Sequence, residues 1–334
     1  RGWSGESCAP GPVEVEVRVR GGEAWDVELL DRSHPRAPGA RDPRPCGARG
    51  LRDPPLGLGA GPVGDGALSE VEAGCLLNGA LDLGLTFVDT APGYGLSEER
   101  IGRHLSRRRS EFALSTKLGY AVPGVPDWTG ECIARGVDLA LSRLRTDVLD
   151  VAHLHSCPLE TLLRGDVVEA LQRAVAAGKV RVAAYSGENE PLAWAVFSGA
   201  FGSVQASVNV CDQASLSRSI ADAAARGLGV IAKRPLANTP WKPGAAHPDD
   251  AAAAAYRDRW QVLRLDDLGL DPAELAVRFA AFAPGVSTPI VGSRRLEHLA
   301  GILAHVAKGP LPPDVLSEIT ARFATLGRDW PGMI

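Results

Sequence analysis

The chain has 334 residues, 45% of them hydrophobic, enough for one large core or two ordinary domains. Its 36 basic and 40 acidic side chains give a net charge of −4 with no block of Lys or Arg, so it lacks a nucleic-acid or acidic-membrane footprint. No apolar run approaches the roughly 18 residues of a membrane span, and the 6 cysteines are scattered without C-x-x-C spacing, which reads as the reduced thiols of a cytoplasmic protein.

Residues 1–42 read as an N-terminal extension. Within it, "VEVEVRVRGGEAWDVELL" alternates apolar and charged residues around Gly21-Gly22, the pattern of a β-hairpin. The Pro/Arg-rich "DRSHPRAPGARDPRP" that follows has no periodicity and reads as a flexible linker. The extension is either an appended hairpin or sequence foreign to the natural protein. The start at Arg1 implies that the natural beginning is missing or replaced.

Next comes "GLGAGPVG", in which Gly59, Gly61 and Gly64 spell G-x-G-x-x-G, the spacing of a dinucleotide-binding turn. Two features argue against that reading. Ser69 and Glu72 form a capping box that starts the helix five residues beyond Gly64, and Pro62 removes an amide donor from the run. The glycines instead fit the end of a strand and its loop.

From Leu56 on, short β-rich runs recur at "PLGLG", "TFVDT", "FALSTK", "VLDVAHLH", "VRVAAYS", "SVQASVN", "GVIAK" and "TPIVG", with helical patterns between nearly all of them. Thr129 opens one such helix, with Ile133, Val137, Leu141 and Leu144 at helical spacing, and Asp271-Pro272 opens a late one. Eight strands alternating with helices predict an α/β fold, a closed (β/α)8 TIM barrel over residues 43–334.

In a barrel, chemistry sits at the C-terminal ends of the strands. The residues there are Asp89, Lys117, His155, Ser186, Asn209, Lys233 and Gly292-Ser293, with Tyr94 in the loop after Asp89. Taken singly, Asp89 is an ordinary loop acid, Lys117 a solvated strand-end lysine and Tyr94 a loop aromatic. Gln205 and Asn209 serve equally well as polar groups satisfied inside the rim, and Arg294 and Arg295 as partners of surface carboxylates. Together, an acid, an ammonium, an imidazole and a phenol on one rim suit proton transfer. "HLHSC" offers a second reading, because His153, His155 and Cys157 alternate as zinc ligands on one face of a strand would. Barrel metallohydrolases, however, place His-x-His on the first strand and an acid after the eighth. Here the pair is on the fourth strand and the eighth ends in "VGSRR", so no metal is expected.

These motifs resemble the aldo-keto reductase family from about Arg44 to the end of the chain. "FVDTAPGYGLSEERIG" is similar to the family's signature after its second strand, and "STK" carries Lys117 at the end of the third. "TDVLDVAHLHS" ends in the matching histidine, and "GKVRVAAYS", "VQASVN", "VIAKRPLAN" and "PIVGSRRLEHL" follow through strands five to eight. The resemblance implies a metal-free NAD(P)H-dependent oxidoreductase of the alcohol dehydrogenase type (EC 1.1.1), acting on an aldehyde, ketone or sugar carbonyl, or on the hydroxyl in reverse. Tyr94 would be the proton donor. A free phenol is too weak an acid for easy exchange near neutrality, and the Lys117 cation, held by Asp89, would stabilise its phenolate. His155 would orient and polarise the carbonyl oxygen.

For the cofactor, the same matching assigns Ser186 and Gln205 to the carboxamide and Lys233 to a position that often holds a ring-stacking aromatic. Pro235 and Leu236 would line the pyrophosphate passage, and Gly292, Ser293 and Arg294 the adenosine-phosphate segment. Gly59 and Ala60 would pass near the nicotinamide. The chain departs from the family at Gly187, where Asn is frequent and Asn189 could substitute, and at Ser156, where Trp is common. It departs also at Gly301-Ile302, where Glu-Asn is usual, and at His298, where an Arg often binds the 2′-phosphate. Arg294 and Arg295 could compensate, so NADP(H) is favoured and NAD(H) remains compatible. The expected partner is a small carbonyl or sugar, walled by Trp128 and Trp241 from the loops Tyr120–Trp128 and Asn238–Asp250. A catalytically idle, cofactor-binding regulatory relative is the competing reading, and a metal-dependent barrel hydrolase the third.

Overall fold

Eight parallel strands close into a ring in the computed structural model, which describes residues 44–46, 51–53, 56–242 and 251–334. They are β1 (Gly57–Gly59), β2 (Phe87–Asp89), β3 (Ala113–Leu118), β4 (Leu149–His155), β5 (Val180–Ser186), β6 (Ser203–Ser207), β7 (Gly229–Lys233) and β8 (Thr288–Val291). Each pairs with its neighbour in sequence, and β8 returns to β1 through Ile290↔Gly57 and Val291↔Leu58. This is the (β/α)8 barrel that the strand rhythm predicts. The predicted hairpin of residues 13–30 and most of the linker after it lie outside the described residues. A short antiparallel ladder, Arg44–Cys46 with Leu51–Asp53, precedes the barrel.

Local chemistry starts the helices where the sequence indicates. Ser69 caps the helix Glu70–Asp82 in a reciprocal box with Glu72, Thr129 accepts from the Cys132 amide, and Asp271 accepts from the amides of Ala273 and Glu274. The run Gly61–Gly64 is a separate 3-10 turn that ends before this first helix begins.

Strand periodicity sorts the residues into two sets. Leu58, Val88, Leu114, Ala152, Leu154, Tyr185, Val204 and Val230 belong to the large core shared with the helices. Phe87, Val151, Val182, Ala184, Ile231 and Ile290 form a second cluster inside the ring. Two residues further along the same faces stand Asp89, His153, Ser186 and Lys233. The barrel interior is therefore apolar at the N-terminal ends of the strands and polar at the C-terminal ends. At the seam, a Cβ on Gly57 would lie 3.0 Å from both Ile290 Cγ2 and the Phe87 carbonyl, so glycine lets β1 close against its neighbours.

Candidate active site

Six inward-facing side chains form a hydrogen-bonded group at the polar end. Lys117 Nζ donates to Asp89 Oδ2 at 2.5 Å and to the Thr90 carbonyl at 2.8 Å. Asp89 Oδ1 accepts from Ser115 Oγ (2.8 Å) and from Gln205 Nε2 (3.1 Å). Gln205 Oε1 in turn accepts from Ser186 Oγ at 2.9 Å, and His153 Nε2 meets Ser115 Oγ at 3.1 Å. Lys117 and Asp89 are 1% and 2% exposed, so solvent does not screen the pair. Burial pulls the Lys117 ammonium down, but the Asp89 carboxylate, Tyr94 and the hydrogen bond outweigh it, and its pKa lies above the usual lysine value.

Tyr94 covers this group. Its ring centroid is 4.9 Å from Lys117 Nζ and 6.4 Å from the His155 ring, which it meets edge-on. The glycine run places it: a Cβ on Gly64 would fall 1.6 Å from the Tyr94 carbonyl oxygen, and the Leu96 amide donates to the Gly64 carbonyl. Gly64 therefore supports the loop that presents the phenol.

Both histidines of β4 are held neutral. Burial, then the Lys117 and Lys233 cations, pull His155 down to about 2. Burial pulls His153 down to about 4, against the opposing pull of Asp89. His155 Nδ1 lies 2.6 Å from the Tyr120 hydroxyl. Cys157 is buried and contacts the Pro158 carbonyl. Among the described residues, no three His, Cys, Asp or Glu side chains are arranged to hold a metal ion.

A cavity of about 540 Å³ opens above these groups. Of the residues anticipated from sequence, Gly59, Asp89, Tyr94, His155, Gln205, Lys233, Pro235, Leu236 and Gly292 line it, as does Ser156. Lys117 sits behind Tyr94. Ala60 and Ser186 are buried, the amide of Ala60 bonding the Asp89 carbonyl at 2.7 Å. Ser293, Arg294 and His298 lie further along the rim: Ser293 Oγ is 3.3 Å from His298 Nδ1, and Arg294 pairs with Asp65 at 2.8 Å.

Some expectations fail here. Asn189 exchanges two hydrogen bonds with the backbone of Gly332, so its amide is committed there and not to the role expected of it. Trp241 packs against Trp260 with ring centroids 4.9 Å apart and Trp128 packs over Gly119, so neither walls the cavity. Asn238, Thr239 and Ile334 do so instead. Ile334 belongs to a tail pinned by Arg234 to the Met333 carbonyl and by Asp212 to the Met333 amide.

Several partners escaped sequence reasoning. Ser115 precedes Lys117 by two residues on β3, so strand parity alone could have marked it. Glu188, two residues past Ser186, accepts from Lys233 Nζ at 3.2 Å and from the Ser207 amide at 2.8 Å. Burial pushes this carboxyl up, and burial pulls Lys233 down.

The Aldo/keto reductase family model matches residues 55–322. L-galactose dehydrogenase of Arabidopsis thaliana is 27% identical over 322 residues, which covers 87% of this chain and 97% of that protein. D-threo-aldose 1-dehydrogenase of a Pseudomonas species is 35% identical over 136 residues, 32% of this chain and 41% of that protein. Among solved structures, an aldo-keto reductase of Bacillus halodurans in its holo form has the same fold, with a TM-score of 0.74 at 22% identity over 84% of this chain and 96% of that one.

Proposed function

The chain belongs to the Aldo/keto reductase family, and from that premise we propose that it reduces an aldehyde, ketone or sugar carbonyl with NADP(H), or oxidises the corresponding hydroxyl, with Tyr94 as proton donor. One observation carries the reading: a saturated, buried Asp89–Lys117 pair stands 4.9 Å from the centroid of a phenol that, with His155, faces one cavity.

The residues present suit a nicotinamide dinucleotide. The cavity has a size ordinary for ligand sites and runs from Tyr94 to Gly292, past apolar Leu236, Ile290 and Val291 and the cations Lys233 and Arg234. Gln205, Lys233, Pro235, Leu236 and Gly292 would hold the cofactor along it, with Arg294 beyond. The cofactor supplies hydride. Tyr94 Oη gives its proton to the carbonyl oxygen as alkoxide charge develops, and Lys117 stabilises the phenolate left behind. His155, neutral, binds the same oxygen and fixes its direction. Arg294 is the residue for a 2′-phosphate, which favours NADP(H) over NAD(H). Cys75, Cys132, Cys157 and Cys211 are free thiols, which suits a reducing, cytoplasmic setting. Because the Arabidopsis and Pseudomonas relatives are sugar dehydrogenases by name, sugars come first among the substrates to try.

The test is cofactor absorbance with NADPH and NADH across a panel of aldoses, simple aldehydes and ketones, and in reverse with the oxidised cofactors. We expect turnover with at least one sugar or aldehyde, and its abolition in Tyr94→Phe with NADPH affinity changed less than about twofold. Tight NADPH binding without turnover on any carbonyl would point to the idle regulatory relative.

A further inference from the structure

Tyr120 lies in the loop leaving β3, and its hydroxyl meets His155 Nδ1 at 2.6 Å, with the two ring centroids 5.5 Å apart. The direction of this bond follows from counting hydrogens. A phenol carries one hydrogen. Among the described residues, His155 Nδ1 is the hydrogen-bond partner within reach of the Tyr120 oxygen. The hydroxyl hydrogen is left for Nδ1. The reverse arrangement, Nδ1–H donating to the phenol, would leave the hydroxyl hydrogen without an acceptor among the described residues.

A neutral imidazole that accepts at Nδ1 carries its own proton on Nε2. Burial keeps His155 neutral, and burial, with Tyr94, pushes the Tyr120 phenol up to about 12, so it remains a donor across the working pH range. We propose that Tyr120 is a positioning residue. It fixes His155 in the Nε2–H tautomer and at one ring angle, so that an N–H donor is presented to the substrate oxygen above Tyr94.

The bond ties two loops to one imidazole. Tyr120 comes from the loop after β3 and packs on Gly93 of the loop after β2, where an added Cβ would lie 3.2 Å from the Tyr120 ring and hydroxyl oxygen, and His155 ends β4. Tyr94 directly follows Gly93. A shift of Tyr120 therefore moves the hydrogen-bonding atom and the proton-donating loop together, which sets the distance between the two groups that act on one oxygen. The reasoning rests on the carbonyl-reductase reading for its consequence, but not for the bond itself.

The experiment uses the full chain with 15N-labelled histidine. One- and two-bond 1H–15N spectra at pH 7 report which ring nitrogen is protonated, and His155 is assigned by the resonance lost in His155→Gln. The expected wild-type result is a protonated Nε2 and a bare, hydrogen-bonded Nδ1. Tyr120→Phe keeps the ring and removes the bond, so the Nδ1 resonance should move. With a carbonyl substrate, kcat should fall about tenfold while NADPH affinity, followed by fluorescence, changes less than about twofold. A wild-type His155 protonated on Nδ1 overturns the proposal, and so does a Tyr120→Phe enzyme with unchanged kcat or an unchanged His155 spectrum. Should that variant fail to fold, the wild-type spectrum alone decides. A wild type that reduces no carbonyl overturns the reductase reading and with it the catalytic consequence drawn here, while the substrate-free spectrum separately reports whether the bond is as described.

Discussion

Two lysines stand at the C-terminal ends of barrel strands, each paired with a buried carboxylate, and they differ in how fully each pair is supported. Asp89 receives Lys117 at 2.5 Å together with Ser115 and Gln205, while Lys117 also reaches the Thr90 carbonyl. Glu188 receives Lys233 at 3.2 Å and one backbone amide, and Arg234 and Asp212 crowd the pair with like charges. Lys117 is the more deeply buried lysine, its side chain 1% exposed against 13% for Lys233, yet the outcome is the reverse of what burial alone would give. Lys117 is held above its ordinary pKa, whereas Lys233 is pulled below its own and Glu188 is pushed up. A buried ion pair keeps its charges when hydrogen bonds complete the shell around it, and proximity alone does not suffice. The first pair is built as a permanent cation beneath Tyr94. In the second, both shifts run toward the uncharged forms.

The sharpest way to break this contrast is Lys117→Met, which keeps the stem and removes the charge. It should lower kcat/KM by about a thousandfold, close to 4 kcal/mol of transition-state stabilisation. It should also cost roughly 3 kcal/mol in folding, read by urea denaturation, because Asp89 stays buried without its cation. Activity within tenfold of wild type would sink the phenolate role of Lys117. Lys233→Met should cost less, on the order of 2 kcal/mol at pH 8, and that loss should depend on pH. A carboxyl whose folded pKa is raised keeps a proton that the unfolded chain releases above about 4.5. The variant's stability should therefore fall as pH rises above that value, and recover toward pH 5. Denaturation midpoints equal at pH 5 and pH 8 would contradict the assignment. The smallest effect belongs to the exposed pair Asp65–Arg294. Asp65→Asn should leave the denaturation midpoint unchanged, as exposed pairs usually do. It should tighten NADPH binding by about two- to threefold by freeing Arg294, with NADH unaffected.

The barrel was legible because its signals are local and repeated. "TFVDT", "VLDVAHLH" and "VRVAAYS" alternate with capped helices, and strand parity carries each polar end inward. Asp89, Tyr94, Lys117 and His155 were legible because each stands at, or just after, a strand end. Residues that act through loops left no such trace. Tyr120 has no periodicity to mark it, and its bond to His155 spans 35 positions. Trp128 and Trp241 show the converse: large loop aromatics that suggest a pocket wall found neighbours in the core instead. Asn189 was diverted by a contact with Gly332, 143 residues away, which nothing in its surrounding sequence announces.

The seam where β8 meets β1 also sets an order of events during synthesis. Gly57 is paired with Ile290 in the finished ring. A ribosome adding about 5–20 residues per second would deliver the partner some tens of seconds after β1 emerges. Until then β1 has an open edge, a state prone to wrong pairing. Gly292–Arg294, the segment proposed for the cofactor's phosphate end, directly follows the strand that seals the ring. A nascent chain therefore completes its cofactor site only as its barrel closes, and any ligand that grips this segment would favour the closed ring over its open precursors.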